Sequence, residues 1–301
     1  MIGLCHAVSF KEGIILTCST MRPFRSFGFA NSIAFIACVF AFSACQSSSP
    51  VSKHAVETGF LDRTIQVGQV SHKYQVYLPS NYTPEKDWPV ILFLHGAGER
   101  GYEGLSQTHV GLGRAIRFNP ERWPAIVVFP QMPPGRNWMP STEPIGIGAL
   151  EATIDEFAVD TSRIYLTGLS MGGYGSLFLG SRHADRFAAI VAICPTVGNG
   201  DRYPFLSGSS YAEAVSGTAE ALSSLPVWLF HGEDDPVFAS SISADLTLAL
   251  QDRGADVRFT EYVDTGHNAW DPAYDNTDMI TWLFQQHRTD HAPADSPALH
   301  H

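Results

Sequence analysis

Arg163-Ile164-Tyr165-Leu166-Thr167 followed by Gly168-Leu169-Ser170-Met171-Gly172 decides the fold of this chain. An apolar run of strand type leads into a G-x-S-x-G turn, and a segment that reads as helix follows from about Gly172 to His183. Strand, sharp turn and helix form the setting in which such a turn pushes a serine hydroxyl out at the end of a strand. Gly168 and Gly172 leave room where a side chain would meet neighbouring backbone. Ser170 is therefore the candidate nucleophile.

A serine hydroxyl is a weak nucleophile near neutral pH, so it needs a base within hydrogen-bond reach and a third group to orient that base. Both have candidates downstream. Leu225 to Phe230 reads as a buried strand and runs into His231-Gly232-Glu233-Asp234-Asp235-Pro236-Val237. Val257 to Val263 reads as the next strand and ends in Asp264-Thr265-Gly266-His267. Acidic and basic residues in loops at the C-terminal ends of strands lie where open α/β sheets gather functional groups. His267 is the candidate base. Asp234 and Asp235 both lie within reach of an imidazole. Upstream, Pro89 to Leu94 is a continuous apolar run, typical of a strand covered on both faces, followed by His95-Gly96-Ala97-Gly98-Glu99-Arg100-Gly101. The backbone N–H groups of Ala97 and Met171 are the candidate oxyanion donors. His95 and His231, each before a glycine at a strand end, read as structural histidines.

The four blocks Leu94–Gly101, Gly168–Gly175, His231–Val237 and Gly266–Asp271 resemble the signature blocks of bacterial α/β-hydrolase esterases. The nearest subgroup is the one often labelled predicted peptidases, related to polyhydroxybutyrate depolymerase-like and feruloyl esterase-like enzymes and to the phospholipase/carboxylesterase group. The resemblance runs from about Phe60 to His287. It implies an α/β-hydrolase fold: a mostly parallel sheet with helices on both faces. It also implies serine-hydrolase chemistry on a carboxylic ester, small or polymeric, with the triad order Ser170, Asp235, His267. The family pattern favours Asp235 over Asp234. Two further readings stay open, a serine peptidase on the same fold and a non-enzymatic envelope binding protein. Trp138 and Trp270 are candidate substrate contacts.

The coarse pattern is strand and helix in alternation. Thr64–Val70 and Lys73–Leu78 read as an antiparallel hairpin at the sheet's N-terminal edge. Ala125–Phe129 and Phe187–Cys194 read as further strands, and Ile147–Phe157, Ser240–Arg253 and Thr277–Gln286 as helices. The Gly- and Ser-rich stretch Val197–Leu222 is expected to supply part of a lid over the substrate.

The N-terminus differs in composition. Met21-Arg22-Pro23-Phe24-Arg25 is basic, Phe27 to Phe42 is mostly apolar, and Ser43-Ala44-Cys45 precedes Gln46-Ser47-Ser48-Ser49-Pro50. This is the pattern of an export signal, and cysteine after small residues is that of a lipobox, with Cys45 as the lipidated residue. The expected organisation is an export signal over 1–45, with Met21 as an alternative start, a tether over 46–60, a catalytic domain over 61–288 and a disordered tail over 289–301. The expected location is the bacterial cell envelope, membrane-held through the lipid, with a periplasmic or secreted protein as the alternative. Of the five cysteines only Cys194 lies beyond this leader, so no disulfide is expected within the domain. No CxxC or HExxH pattern occurs, and neither metal nor cofactor is expected. The net charge of −11 argues against a nucleic-acid partner.

Overall fold

The computed structural model describes residues 56–198, 200 and 203–288. The leader, Cys45, the tether up to residue 55 and the tail from 289 lie outside the described residues.

Among the described residues eight strands form one sheet in the order β1-β2-β4-β3-β5-β6-β7-β8. Strands β1 (Gly59–Val67) and β2 (Val70–Leu78) form an antiparallel hairpin at one edge, and β2 pairs antiparallel with β4 (Ile126–Pro130). From β4 onward the sheet is parallel through β3 (Trp88–Leu94), β5 (Val159–Leu169), β6 (Ala189–Ile193), β7 (Val227–Gly232) and β8 (Val257–Tyr262). This is the α/β-hydrolase fold. The hairpin turns at Gly68-Gln69, earlier than the strand boundaries read from sequence, because Val67 pairs with Val70 and Gly68 takes the φ of +61° that a two-residue hairpin loop demands.

Alternation along the strands splits the core in two. On β3, Leu92 and Leu94 face one apolar layer while Ile91 and Phe93 face the other. The first layer is closed by α2 (Glu143–Glu156), α3 (Met171–Arg182), α4 (Tyr211–Leu222) and α5 (Ser241–Gln251), through residues such as Ala149, Leu177, Ala214 and Leu246. The second is closed by α1 (Gly111–Phe118), α6 (Trp270–Asp275) and α7 (Thr277–Gln285), through Leu112, Ala273 and Leu283. Helix α2 begins a turn before the expected Ile147, because Pro144 suits a helix's first turn, where its missing N–H is not needed.

The lid expectation for Val197–Leu222 is limited to its first half, where Tyr203 lines the pocket beside Ser170. Its second half is α4, capped by Ser210, whose side chain accepts the Glu213 N–H, and it buries Ala214, Val215, Thr218, Ala219 and Leu222 against the sheet layer. The small residues that read as loop composition let this helix pack closely. Among the described residues no helix is long and apolar enough to cross a membrane.

Candidate active site

Ser170 sits between β5 and α3 with φ 54° and ψ −114°, a conformation that costs a non-glycine residue about 1–3 kcal/mol. The surroundings hold it there. Its N–H donates to Ile193 O at 2.8 Å, and its carbonyl accepts from Tyr174 N–H at 3.0 Å, opening α3. A Cβ at Gly172 would overlap the carbonyl of Leu94, and one at Gly168 would overlap the carbonyl of Gly172. The turn and the end of β3 therefore touch backbone to backbone.

His267 hangs on the loop after β8, where Asp264 takes a positive φ of 52°. A Cβ at Gly232 would collide with the carbonyls of Thr265 and Gly266, so the loops after β7 and β8 are in backbone contact. The structure brings three of the candidate side chains into one hydrogen-bonded line. His267 Nδ1 lies 2.7 Å from Asp235 Oδ2, and His267 Nε2 lies 2.8 Å from Ser170 Oγ. A carboxylate only accepts, so Nδ1 carries the proton and Nε2 is left to accept from the serine hydroxyl. Phe238 and Trp270 meet the imidazole edge-on, with centroid separations of 5.9 and 5.3 Å.

The Asp235 side chain is fully buried. Burial would raise its pKa, but hydrogen bonds from His231, His267 and the N–H groups of Val237 and Phe238 outweigh it and hold the carboxyl well below the usual carboxylate range. Asp234 is exposed, and its backbone N–H is spent on Thr265 O. Cys194 Sγ donates to His267 O at 3.1 Å, and burial pushes its pKa up to about 12, so it stays a thiol. The ligand-type atoms of Cys194, His231 and Asp235 lie within 4.8 Å of one another. The cluster is a hydrogen-bonded one, since His231 points an N–H, not a lone pair, at the carboxylate.

Ala97 opens a 3₁₀ turn, Ala97–Glu99, and Met171 opens α3. The first N–H of a helix has no acceptor within it, so both positions offer a donor beside the serine. The loop carrying Ala97 is fixed from several sides. Gln131 Nε2 donates to Glu99 O at 3.0 Å. Arg100 donates to Arg136 O at 2.5 Å, to Asn137 Oδ1 and to Met171 Sδ at 2.9 Å, tying the loop to the first residue of α3.

His95, wholly buried, donates from Nδ1 to Gly96 O at 2.6 Å and accepts Met132 N–H at Nε2 at 2.8 Å. Burial lowers its pKa from 6.5 to about 4, so the ring is neutral. An unfolded chain binds this proton more readily. The stabilisation is thus complete above about pH 6.5, is lost as pH falls toward 4, and is level below, on the order of 3 kcal/mol in all. Urea unfolding at about pH 7.5 and about pH 4.5 should show a smaller acid loss in His95→Gln than in the parent; equal losses would acquit His95.

A cavity of about 510 Å³ opens over Ser170 and His267, walled by Gly96–Glu99, Leu169, Tyr203, Val237, Phe238 and Trp270. Trp270 lies where a substrate contact would. Trp138 does not, which corrects that expectation: it is buried, its indole N–H donates to His95 O at 3.2 Å, and its ring fills the space left by Gly175 on α3. Tyr203, Phe238, Arg100 and Gln131 were not among the sequence candidates. Only Arg100, inside the His95–Gly101 block, carried a signal that could have found it.

The model of the prolyl oligopeptidase family matches residues 146–287, a span that includes Ser170, Asp235 and His267. Acyl-protein thioesterase 1 of Neurospora crassa is 27% identical over 206 residues, which cover 60% of this chain and 80% of that protein. The crystal structure of a thermostable esterase is similar with a TM-score of 0.64 and 30% identity, covering 76% of this chain; the match spans 63% of that esterase's length. A ferulic acid esterase shares the fold with a TM-score of 0.60 and 20% identity, over 75% of this chain and 98% of its own.

Proposed function

For an α/β-hydrolase chain of the esterase-like kind, we propose a serine hydrolase that cleaves carboxylic esters through an acyl-enzyme, with Ser170, His267 and Asp235 as its triad. The observation that carries this reading is the single imidazole bonded at 2.8 Å to Ser170 Oγ and at 2.7 Å to a buried carboxylate, at the floor of an open cavity. Ser170 Oγ attacks the ester carbonyl as His267 Nε2 takes its proton, and Asp235 stabilises the imidazolium. The N–H groups of Ala97 and Met171 meet the developing oxyanion, each contributing about 3 kcal/mol to the barrier reduction. The imidazolium then protonates the departing alcohol. Water, deprotonated by His267, attacks the acyl-serine; as the acyl–Oγ bond breaks, the imidazolium returns the proton to Ser170 Oγ and the acid leaves. Trp270 and Tyr203 flank the acyl or alcohol group.

A peptidase on the same fold is the second reading, favoured by the family model over 146–287. A non-enzymatic envelope binder is the third. Short-chain nitrophenyl esters and aminoacyl nitroanilides, assayed in parallel, separate them. Turnover of the esters alone is expected; preference for the anilides would overturn the ester reading in favour of the peptidase, and inertness toward both would favour the binder.

We further propose that the protein is exported and held in a bacterial membrane through lipid on Cys45, with a periplasmic or secreted protein as the alternative. The support is the basic, apolar and small-residue order ending in Ser43-Ala44-Cys45. Several acyl chains anchor a protein far more firmly than one. Mass spectrometry of the mature N-terminus should find an acylated Cys45. An unmodified terminus at another residue would rule the anchor out and leave the hydrolase reading standing.

A further inference from the structure

Behind Asp235 lies a second serine–histidine pair that the proposed mechanism leaves unused. His231, at the end of β7, is wholly buried, as is Ser243 on the first turn of α5. His231 Nε2 lies 3.0 Å from Phe238 O and 3.2 Å from Asp235 Oδ2. Both are acceptors, so Nε2 carries a hydrogen and shares it between them. His231 Nδ1 lies 2.7 Å from Ser243 Oγ, and with Nε2 protonated in a neutral ring the hydroxyl donates to Nδ1.

Oδ2 of Asp235 therefore takes an N–H from His267 in front and another from His231 behind, while Oδ1 takes the N–H groups of Val237 and Phe238. The result is a continuous line, Ser243–His231–Asp235–His267–Ser170, in which the buried half mirrors the half that faces the cavity. The oxygen that orients the catalytic base is held by an imidazole whose tautomer is set by Phe238 O and Asp235 Oδ2 and whose other nitrogen is satisfied by a serine hydroxyl.

Resting on the triad reading above, we propose that His231 is a positioning residue for the catalytic acid, holding Asp235 Oδ2 on the His267 side, and that Ser243, bonded to Nδ1, holds the ring in the orientation that lets it do so. Without the rear N–H the carboxylate is free to tilt away from His267, and the barrier to proton transfer rises while substrate contacts stay as they were.

The test is a set of variants assayed on a short-chain nitrophenyl ester. His231→Leu removes the donor, and His231→Gln restores an amide N–H near the place of Nε2. We expect kcat to fall about 100-fold in His231→Leu with KM within about twofold, and His231→Gln to recover to within about tenfold of the parent. The deciding measurement is a double-mutant cycle with Asp235→Asn: a residue acting through Asp235 should cost less than about threefold once that carboxylate is gone. An equal loss in both backgrounds, a loss in KM alone, or full activity in His231→Leu would overturn the proposal. Should His231→Leu not fold, Ser243→Ala carries the same cycle, with an expected kcat loss of about threefold to tenfold that vanishes in the Asp235→Asn background. Failure of the triad reading looks different: the parent would lack ester turnover, or Asp235→Asn would match it.

Discussion

Replacing Ser170 by alanine should leave a folded protein whose kcat on a nitrophenyl ester is lower by about 10⁴-fold or more. The substitution removes one oxygen and little else. Alanine meets the same backbone cost as serine at φ 54° and ψ −114°, and the contacts that impose this conformation, to Ile193 O and Tyr174 N–H, come from the main chain. His267 keeps its bond to Asp235, so the urea midpoint should move only slightly. Oxyanion donors and substrate binding would persist and sustain a residual rate, as triad deletions elsewhere do. The measurement is kcat on purified, folded variant. Retention of more than about a hundredth of the parent value would remove Ser170 as nucleophile.

Asp235→Asn is expected to cost up to about 10⁴-fold in kcat, and Asp234→Asn less than about twofold. The asymmetry follows from who needs what at each oxygen. Val237 and Phe238 present N–H groups to Oδ1, so an asparagine keeps its carbonyl there and turns its NH₂ toward the place of Oδ2. That NH₂ then faces His267 Nδ1, which can accept only by moving its proton to Nε2. Nε2–H cannot take the hydroxyl proton of Ser170. The folded protein would hold the base in the wrong tautomer. Asp234, exposed and outside this network, has no such leverage. Equal losses at the two positions, or the reverse order, would overturn the assignment of Asp235.

The legible parts of this molecule were those in which backbone approaches backbone. Gly168 and Gly172 are glycines because carbonyl oxygens occupy the places of their side chains, and such positions leave a local mark that a single sequence displays. Strands β3 and β4 are buried along their whole length, so their apolar runs were equally plain. What stayed hidden depends on partners remote in sequence. Trp138 in its loop reads alike whether its ring enters a cavity or lies on Gly175, and only the docking of α3 decides. Tyr203 and Phe238 reach the cavity for the same reason. His231 reads as a strand-end histidine with a structural role. Its position behind Asp235 emerges only when β7, its loop and α5 are folded together. The stretch that forms α4 reads as loop because alanine, glycine and serine serve a tightly packed helix as well as a loop.

The contact of Gly172 with the carbonyl of Leu94 has a consequence for how such a site survives mutation. The spacing between the loop that carries Ala97 and the helix that begins at Met171 is set by peptide groups resting on one another, with no layer of side chains between them. Core residues such as Leu92, Leu166 and Leu177 can therefore be exchanged for others of similar volume, and the loss falls first on stability, leaving the distance across the reacting centre unchanged. The dimensions of the site thus rest on two positions, Gly168 and Gly172, where any side chain would push the peptide groups apart.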